Sequence, residues 1–198
     1  GYCLGRGGTQ HVASMDHSFL GTNGITGGGI PIATGAALSA RLRGTGQVVL
    51  SFFGDGATNQ GTFHESLNMA SAMHLPIVYV CENNLYGMST HVGRVMRAAD
   101  VADRASAYAI PGVVIDGMDV EAVYRATCVA ADLAREGGGP TLIEAKTYRY
   151  FGHSKSDRRV YRTRDEEAEW HERDPIQSVR MRLAHAGVSD EELAGIRE

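Results

Sequence analysis

Hydrophobic and polar positions change period several times along the chain. Residues 47–53, QVVLSFF, form a short β-branched and aromatic run that predicts a buried strand. Residues 59–74, NQGTFHESLNMASAMH, then repeat apolar positions at helical spacing, and residues 75–83, LPIVYVCEN, return to a strand-like run. The three together predict a β-α-β unit. A second round follows, with a helix over 98–109 (AADVADRASAYA), a strand over 112–117 (GVVIDG), an amphipathic helix over 119–136 (DVEAVYRATCVAADLARE), a GGGP stop, and a strand over 140–149 (PTLIEAKTYR). Such alternation predicts an α/β fold, a parallel sheet flanked by helices on both faces.

The ends of the chain read differently. Of 25 glycines, 15 precede residue 62. The stretch GRGGTQHVASMDHSFLGTNGITGGGIP has too many for a helix interior and too little alternation for a long strand. It predicts a loop that brings main chain close to something. From Pro31, at an expected first helical position, small and apolar residues at helical spacing predict a helix to about Arg43. Beyond Tyr150 the chain is polar and basic, and residues 165–198 predict two or three peripheral helices broken around Pro175 and Gly187. Residues 1–164 are thus read as the main domain and 165–198 as peripheral helices of the same domain.

Composition narrows the function classes. With 198 residues, 43% hydrophobic and 21% charged, the chain has the balance of a globular domain with a sizeable core. A net charge of -4 and a pI near 6.1 give no pull towards nucleic acid or an anionic membrane. Cys3, Cys81 and Cys128 are odd in number and widely spaced, which points to free thiols in a reducing compartment. No apolar run reaches the roughly 18 residues of a membrane span, and no signal pattern opens the chain. A soluble, cytoplasmic protein is expected.

The candidate chemistry lies at the carboxyl ends of the first two strands, where parallel sheets bind ligands. Gly54-Asp55-Gly56 follows the first strand. It misses the dinucleotide fingerprint, since Asn59 stands where the third glycine belongs, and GATNQGT misses a P-loop for want of its lysine. Neither signature explains an acid where an anion would bind. A hard cation between them does: magnesium takes six oxygens at roughly 2.0–2.1 Å, commonly some from phosphate. Asn84, 29 residues after Asp55, ends the next strand, about the length of a strand-helix-strand return. The competing reading makes Asp55 a helix cap and the asparagines turn formers.

Gly54-Asp55-Gly56 followed by Asn83-Asn84 matches the thiamine diphosphate signature. Together with CENNLYGMST, IDGMDV and TYRYFGHSKSD, in this order, it makes the chain resemble the alpha subunit of the decarboxylating dehydrogenase component of 2-oxo acid and acetoin dehydrogenase complexes. The resemblance implies a thiamine diphosphate-binding fold. It implies magnesium ligands at Asp55, the Asn84 side chain and the Tyr86 carbonyl, with diphosphate against Gly54, Gly56 and Ala57. Gly24, Ile25, Thr26 and Gly27 would line the aminopyrimidine side. Many family members have an aliphatic residue at the position of Thr26, which is expected to wedge the cofactor into its bent form. His153 would lie near the diphosphate and reacting centre. The activity implied is oxidative decarboxylation of a pyruvate-like 2-oxo acid, or cleavage of acetoin, with acyl transfer to lipoyl on an acyltransferase core. A beta subunit would supply the acid that activates the pyrimidine, in an assembly of two alpha and two beta chains. Relatives carry a further N-terminal helical segment, so the chain reads as truncated.

Seven of the 19 Lys and Arg residues fall between Lys146 and Arg164, which adds an expected anion contact around His153. Arg149 and Tyr148 read as inward-facing strand-end residues, and His64 and Glu65 as either a polar path beneath the cofactor or surface packing. Two other readings stand beside the dehydrogenase subunit: a Rossmann-like nucleotide-binding domain, and a non-catalytic scaffold fragment of the same fold.

Overall fold

The computed structural model describes residues 2–196, with side chains from Leu4 onward; Cys3 falls outside the described side chains. Helix α1 (Gly29–Arg43) leads into strand β1 (Val49–Gly54), a 3-10 turn over Asp55–Asn59, helix α2 (Gly61–Ala72) and strand β2 (Ile77–Asn83). A two-stranded antiparallel hairpin follows, β3 (Tyr86–Gly87) with β4 (Thr90–His91). Then come a 3-10 helix over Val101–Tyr108, strand β5 (Gly112–Asp116), helix α3 (Val120–Arg135) and strand β6 (Thr141–Lys146). Helices α4 (Arg164–Glu172), α5 (Pro175–His185) and α6 (Asp190–Gly195) close the described chain.

The main sheet has the order β1-β2-β6-β5, and all its pairs are parallel, as the alternation predicts. One face carries α1, α2 and the 3-10 helix. There Ile30, Ala33 and Ala37 of α1 and Phe63, Leu67 and Ala70 of α2 pack with Phe53, Ile77, Tyr79 and Leu142. Burying a side chain such as Phe63 or Leu67 completely contributes about 1.5–3 kcal/mol. Tyr79 keeps its phenol in this core because the hydroxyl meets Thr34 Oγ1 at 2.7 Å and donates to the Ser66 carbonyl at 3.3 Å. On the other face, the small side chains of Ala126, Ala130 and Ala134, spaced four apart, let α3 approach the sheet; Ala126 and Ala130 pack with Val78, Val80 and Ile143.

Three expectations need correction. The first helix begins at Gly29, two residues before Pro31, which the helix tolerates because its first four N–H groups have no intrahelical acceptor. The segment expected as a helix over 98–109 is a 3-10 helix over Val101–Tyr108, entered through a capping box between Asp100 and Asp103. Strand β1, expected to be buried, is covered on one face only: Ser51 and Phe53 point into the core, while Leu50 and Phe52 are 44% and 61% exposed because α3 packs over β2, β5 and β6. Cys81 and Cys128 are free thiols, the first buried. No helix among the described residues is long and apolar enough to cross a membrane.

Candidate functional site

Strands β1 and β2 run side by side with Gly54 opposite Glu82, so Asp55 and Asn84 leave the sheet at neighbouring positions. The Asn84 backbone N–H is turned towards the Asp55 carboxylate, which also draws on its own backbone N–H. Asp55 is 2% exposed. Burial raises its pKa, and those N–H groups together with the charges of Arg149 and His91 offset this only in part. The ion pairs among the described residues are all made elsewhere. A buried carboxylate without a cation is costly, and a cation is the group it lacks.

The turn that carries Asp55 is braced from several sides. Thr58 Oγ1 donates to the Asp55 carbonyl at 2.7 Å, and Arg104 reaches across to the Thr58 carbonyl at 2.5 Å and to Asn59 Oδ1 at 2.9 Å. Helix α2 begins only at Gly61, so Gly56 and Ala57 lie in a 3-10 turn rather than at the start of the following helix. A Cβ at Gly56 would stand 3.3 Å from the Gly87 Cα, which shows how closely the two backbones approach. Beside them lies an open cavity of about 400 Å³ lined by Asp55, Gly56, Asn59, Gly87, Thr90 and Val95.

The two asparagines have different places. Asn83 is 1% exposed and is engaged in the sheet, donating to Glu144 Oε1 at 2.6 Å. Asn84 is half-buried, and its Oδ1 accepts from the Tyr86 N–H at 3.4 Å. The Tyr86 carbonyl accepts from Arg149 Nη1 at 3.1 Å, and Arg149 Nη2 donates to the Met88 carbonyl at 2.7 Å. Arg149 is therefore more than an inward-facing strand-end residue. It ties the hairpin to the end of β6 and places a positive charge that Asp55 feels. Its position just past the carboxyl end of a parallel strand was the available signal. Tyr148 does face inward, hydrogen-bonded to Glu166 Oε1 at 2.9 Å and stacked on Trp170.

Much of the basic run is used internally. Arg162 lies over the rings of Tyr86, Tyr148 and Tyr161 and donates to the Arg149 and Phe151 carbonyls. Arg159 pairs with Glu167 at 3.1 Å, and Lys146 with Asp100 and Glu144 at 2.6 Å each. The expected anion contact therefore narrows to Arg149 and the exposed loop tip. That tip, with His153, is organised by Asp157, which accepts from the His153 N–H, the Arg159 N–H and the Tyr161 hydroxyl. The Tyr161 hydroxyl first, then these N–H groups, hold the Asp157 pKa down at about 2.

Gly24 to Gly27 form the turn before α1, where a Cβ at Gly27 would meet Gln60 and Thr62 at 3.3–3.4 Å. This sets the turn against the entry to α2, the element that follows Asp55. Ile25 is 75% exposed. Of the expected site residues, Asp55 and Gly56 line the cavity beside Asp55, Tyr86 lines a second one with His91 and Tyr161, and the Gly24–Gly27 turn, Gly54, Ala57, Asn84 and His153 line neither. His64 meets the Tyr108 hydroxyl at 2.5 Å, which ties α2 to the 3-10 helix and favours packing over a polar path.

Among the described residues no three His, Cys, Asp or Glu side chains cluster as a metal site. A carboxylate, a carboxamide and a carbonyl form a different set, all hard oxygen donors suited to magnesium or calcium. A family model described as "Dehydrogenase E1 component" matches residues 2–197. The chain belongs to this family. It is 50% identical over 92% of its length to the alpha subunit of an acetoin:2,6-dichlorophenolindophenol oxidoreductase of Bacillus subtilis, of which it covers 55%. It is 44% identical over 97% of its length to a pyruvate dehydrogenase E1 component alpha subunit of Rhizobium meliloti, of which it covers 56%. The chain thus spans about half the length of the curated relatives it matches. A solved structure of a putative thiamin diphosphate-dependent enzyme from Mycobacterium smegmatis superposes with a TM-score of 0.50 at 23% identity, over 66% of this chain and 24% of the other. That likeness bears on the fold alone.

Proposed function

We propose that this E1-family chain is the part of an alpha subunit that holds the magnesium-diphosphate end of thiamine diphosphate. The proposal rests on Asp55, a buried carboxylate without an ion-pair partner among the described residues, which faces Asn84 at the adjoining ends of β1 and β2. Asp55, the Asn84 side chain and the Tyr86 carbonyl would hold magnesium. A carbonyl has two lone pairs, so Tyr86 can serve a cation while it accepts from Arg149. Gly54, Gly56 and Ala57 would present backbone to the diphosphate, Arg149 would add positive charge, and the Gly24-Ile25-Thr26-Gly27 turn would approach the aminopyrimidine. His153 would lie near the diphosphate and the reacting centre.

When bound, thiamine diphosphate supplies a carbon nucleophile that adds to a carbonyl and then stabilises the carbanion. The residues of this chain bind and orient it. The reaction is oxidative decarboxylation of a pyruvate-like 2-oxo acid, or cleavage of acetoin, with the acyl unit passing to lipoyl on an acyltransferase core. A beta subunit, two with two alpha chains, would provide the acid that activates the pyrimidine, and the assembly would work in the cytoplasm. Within this chain Asp116 and Glu65 suit that role poorly: Asp116 pairs with Arg173 at 3.0 Å, and Glu65 lies on the exposed side of α2. Glu82 lies on β2 opposite Gly54, one residue before the strand ends, and desolvation raises its pKa.

Titration calorimetry with thiamine diphosphate, with and without magnesium, tests the proposal. Binding is expected only with magnesium and is expected to be lost in Asp55→Ala, which removes the one charged protein ligand. Equal binding by Asp55→Ala and the parent overturns the clamp. Absence of binding by a folded parent favours the scaffold reading.

A further inference from the structure

Glu144 is the most deeply buried acid in the sheet, 0% exposed on β6, and the proposed function gives it no role. Its carboxylate accepts three hydrogen bonds. Oε1 takes Asn83 Nδ2 and Lys146 Nζ, each at 2.6 Å, and Oε2 takes the Ala102 backbone N–H at 2.8 Å. All three partners are donors, so the group must present oxygen in every direction. An amide next to it can then face only one way: Asn83 must turn its NH2 to Glu144 and its oxygen away.

That oxygen has a specific target. Asn83 Oδ1 accepts from the Leu85 N–H at 3.1 Å, and Leu85 has φ +72°. A leucine in the left-handed region is strained, because its Cβ crowds the following carbonyl oxygen, so the turn needs an external hold. The Leu85 carbonyl in turn accepts from the Val92 N–H at 2.8 Å. Leu85 separates Asn84 from Tyr86, and its conformation sets where the Asn84 carboxamide and the Tyr86 carbonyl stand relative to Asp55.

We infer that Glu144 is a positioning residue: by fixing the amide orientation of Asn83, it locks the Leu85 turn that presents Asn84 and Tyr86 to the cation. The inference rests on the magnesium-diphosphate reading of the site. The relay itself exists without cofactor and can be tested there. Its polarity runs in one direction, from carboxylate through carboxamide to backbone N–H, and that polarity can be reversed with isosteric side chains. Asn83→Asp alone sets a second carboxylate against Glu144. With Glu144→Gln added, the new amide donates its NH2 to the carboxylate at position 83 and keeps its own oxygen for the Ala102 N–H, while that carboxylate still accepts from Leu85. Lys146 Nζ, which shares Oε1 with Asn83, loses that acceptor to the new NH2 and turns to Asp100, which it already meets at 2.6 Å.

The test uses three variants of this chain, Glu144→Ala, Asn83→Asp and Asn83→Asp/Glu144→Gln, with two readouts. The first is exchange of the Leu85 amide, followed by NMR without cofactor. The second is magnesium affinity in the presence of thiamine diphosphate. Glu144→Ala is expected to speed Leu85 exchange and to weaken magnesium by about 10- to 100-fold, the usual loss for an outer-shell partner. Asn83→Asp is expected to weaken magnesium in the same range, and the double variant to bind it about tenfold more tightly than Asn83→Asp although it has also lost the Lys146 contact, a coupling that independent sites do not show. Parent-like exchange and affinity in Glu144→Ala, or a double variant no better than Asn83→Asp, overturns the relay. If Glu144→Ala does not fold, the comparison of single and double variants decides alone, and an unfolded double variant counts against the relay. If the parent binds no cofactor, the functional reading fails while Leu85 exchange still decides the relay.

Discussion

Replacing Asp55 by asparagine separates the stability of the cofactor-free chain from its capacity to hold a cation. The substitution is isosteric, and the amide oxygen can still accept from the Asn84 N–H while the NH2 faces the open cavity. What disappears is a charge that burial disfavours. Relieving such a functional-site strain typically gains about 1 kcal/mol, which in a chain of this size raises Tm by about 2–4 °C. The pH dependence has a definite sign. The folded pKa of Asp55 lies above its unfolded value of about 3.9, so the folded state binds the extra proton between the two. The stabilisation is complete below the unfolded pKa and is lost as pH rises through the folded one. Melting curves without divalent cation, recorded from about pH 4 to about pH 8, should show that loss in the parent and a flatter profile in Asp55→Asn. Magnesium and thiamine diphosphate at about 100 times Kd should stabilise the parent by about 2.7 kcal/mol and leave the variant unchanged. A variant that melts below the parent at neutral pH shows that the Asp55 charge does not strain the cofactor-free fold, and one that keeps the ligand-dependent rise removes Asp55 as a cation ligand.

Two other expectations concern the loop and the partner. Asp157→Asn should speed hydrogen exchange at the His153 and Arg159 amides; because the Asp157 pKa is held at about 2, this bracing persists from neutral pH down past the unfolded value near 3.9 and fails only as pH falls through about 2. Unchanged exchange in the variant would remove Asp157 as the organiser of the tip. The chain alone should reduce no acceptor dye with pyruvate or acetoin, and a beta subunit should restore turnover; reduction by the chain alone would place the activating acid among Glu65, Glu82 and Asp116.

The order of elements was open to reading in the sequence because each carries its own period. The continuous apolar run of β2 and the four-residue spacing of alanines on α3 state which surfaces must be covered. The GDG and Asn-Asn motifs likewise announced a strand-end site, since glycine, acid and amide at such ends have few other combined uses. The tertiary structure decided everything that depends on neighbours distant in the chain. Leu50 and Phe52 look as apolar as Val78 and Val80, yet α3 covers only the second pair. Charge counting could not show that Arg162 is spent on three tyrosine rings and two carbonyls while Arg149 reaches the hairpin. Nor could two adjacent asparagines be told apart. Asn83 faces a buried glutamate 61 residues away and Asn84 faces the turn, because a strand sends successive side chains in opposite directions and only the packed sheet determines what waits on each side.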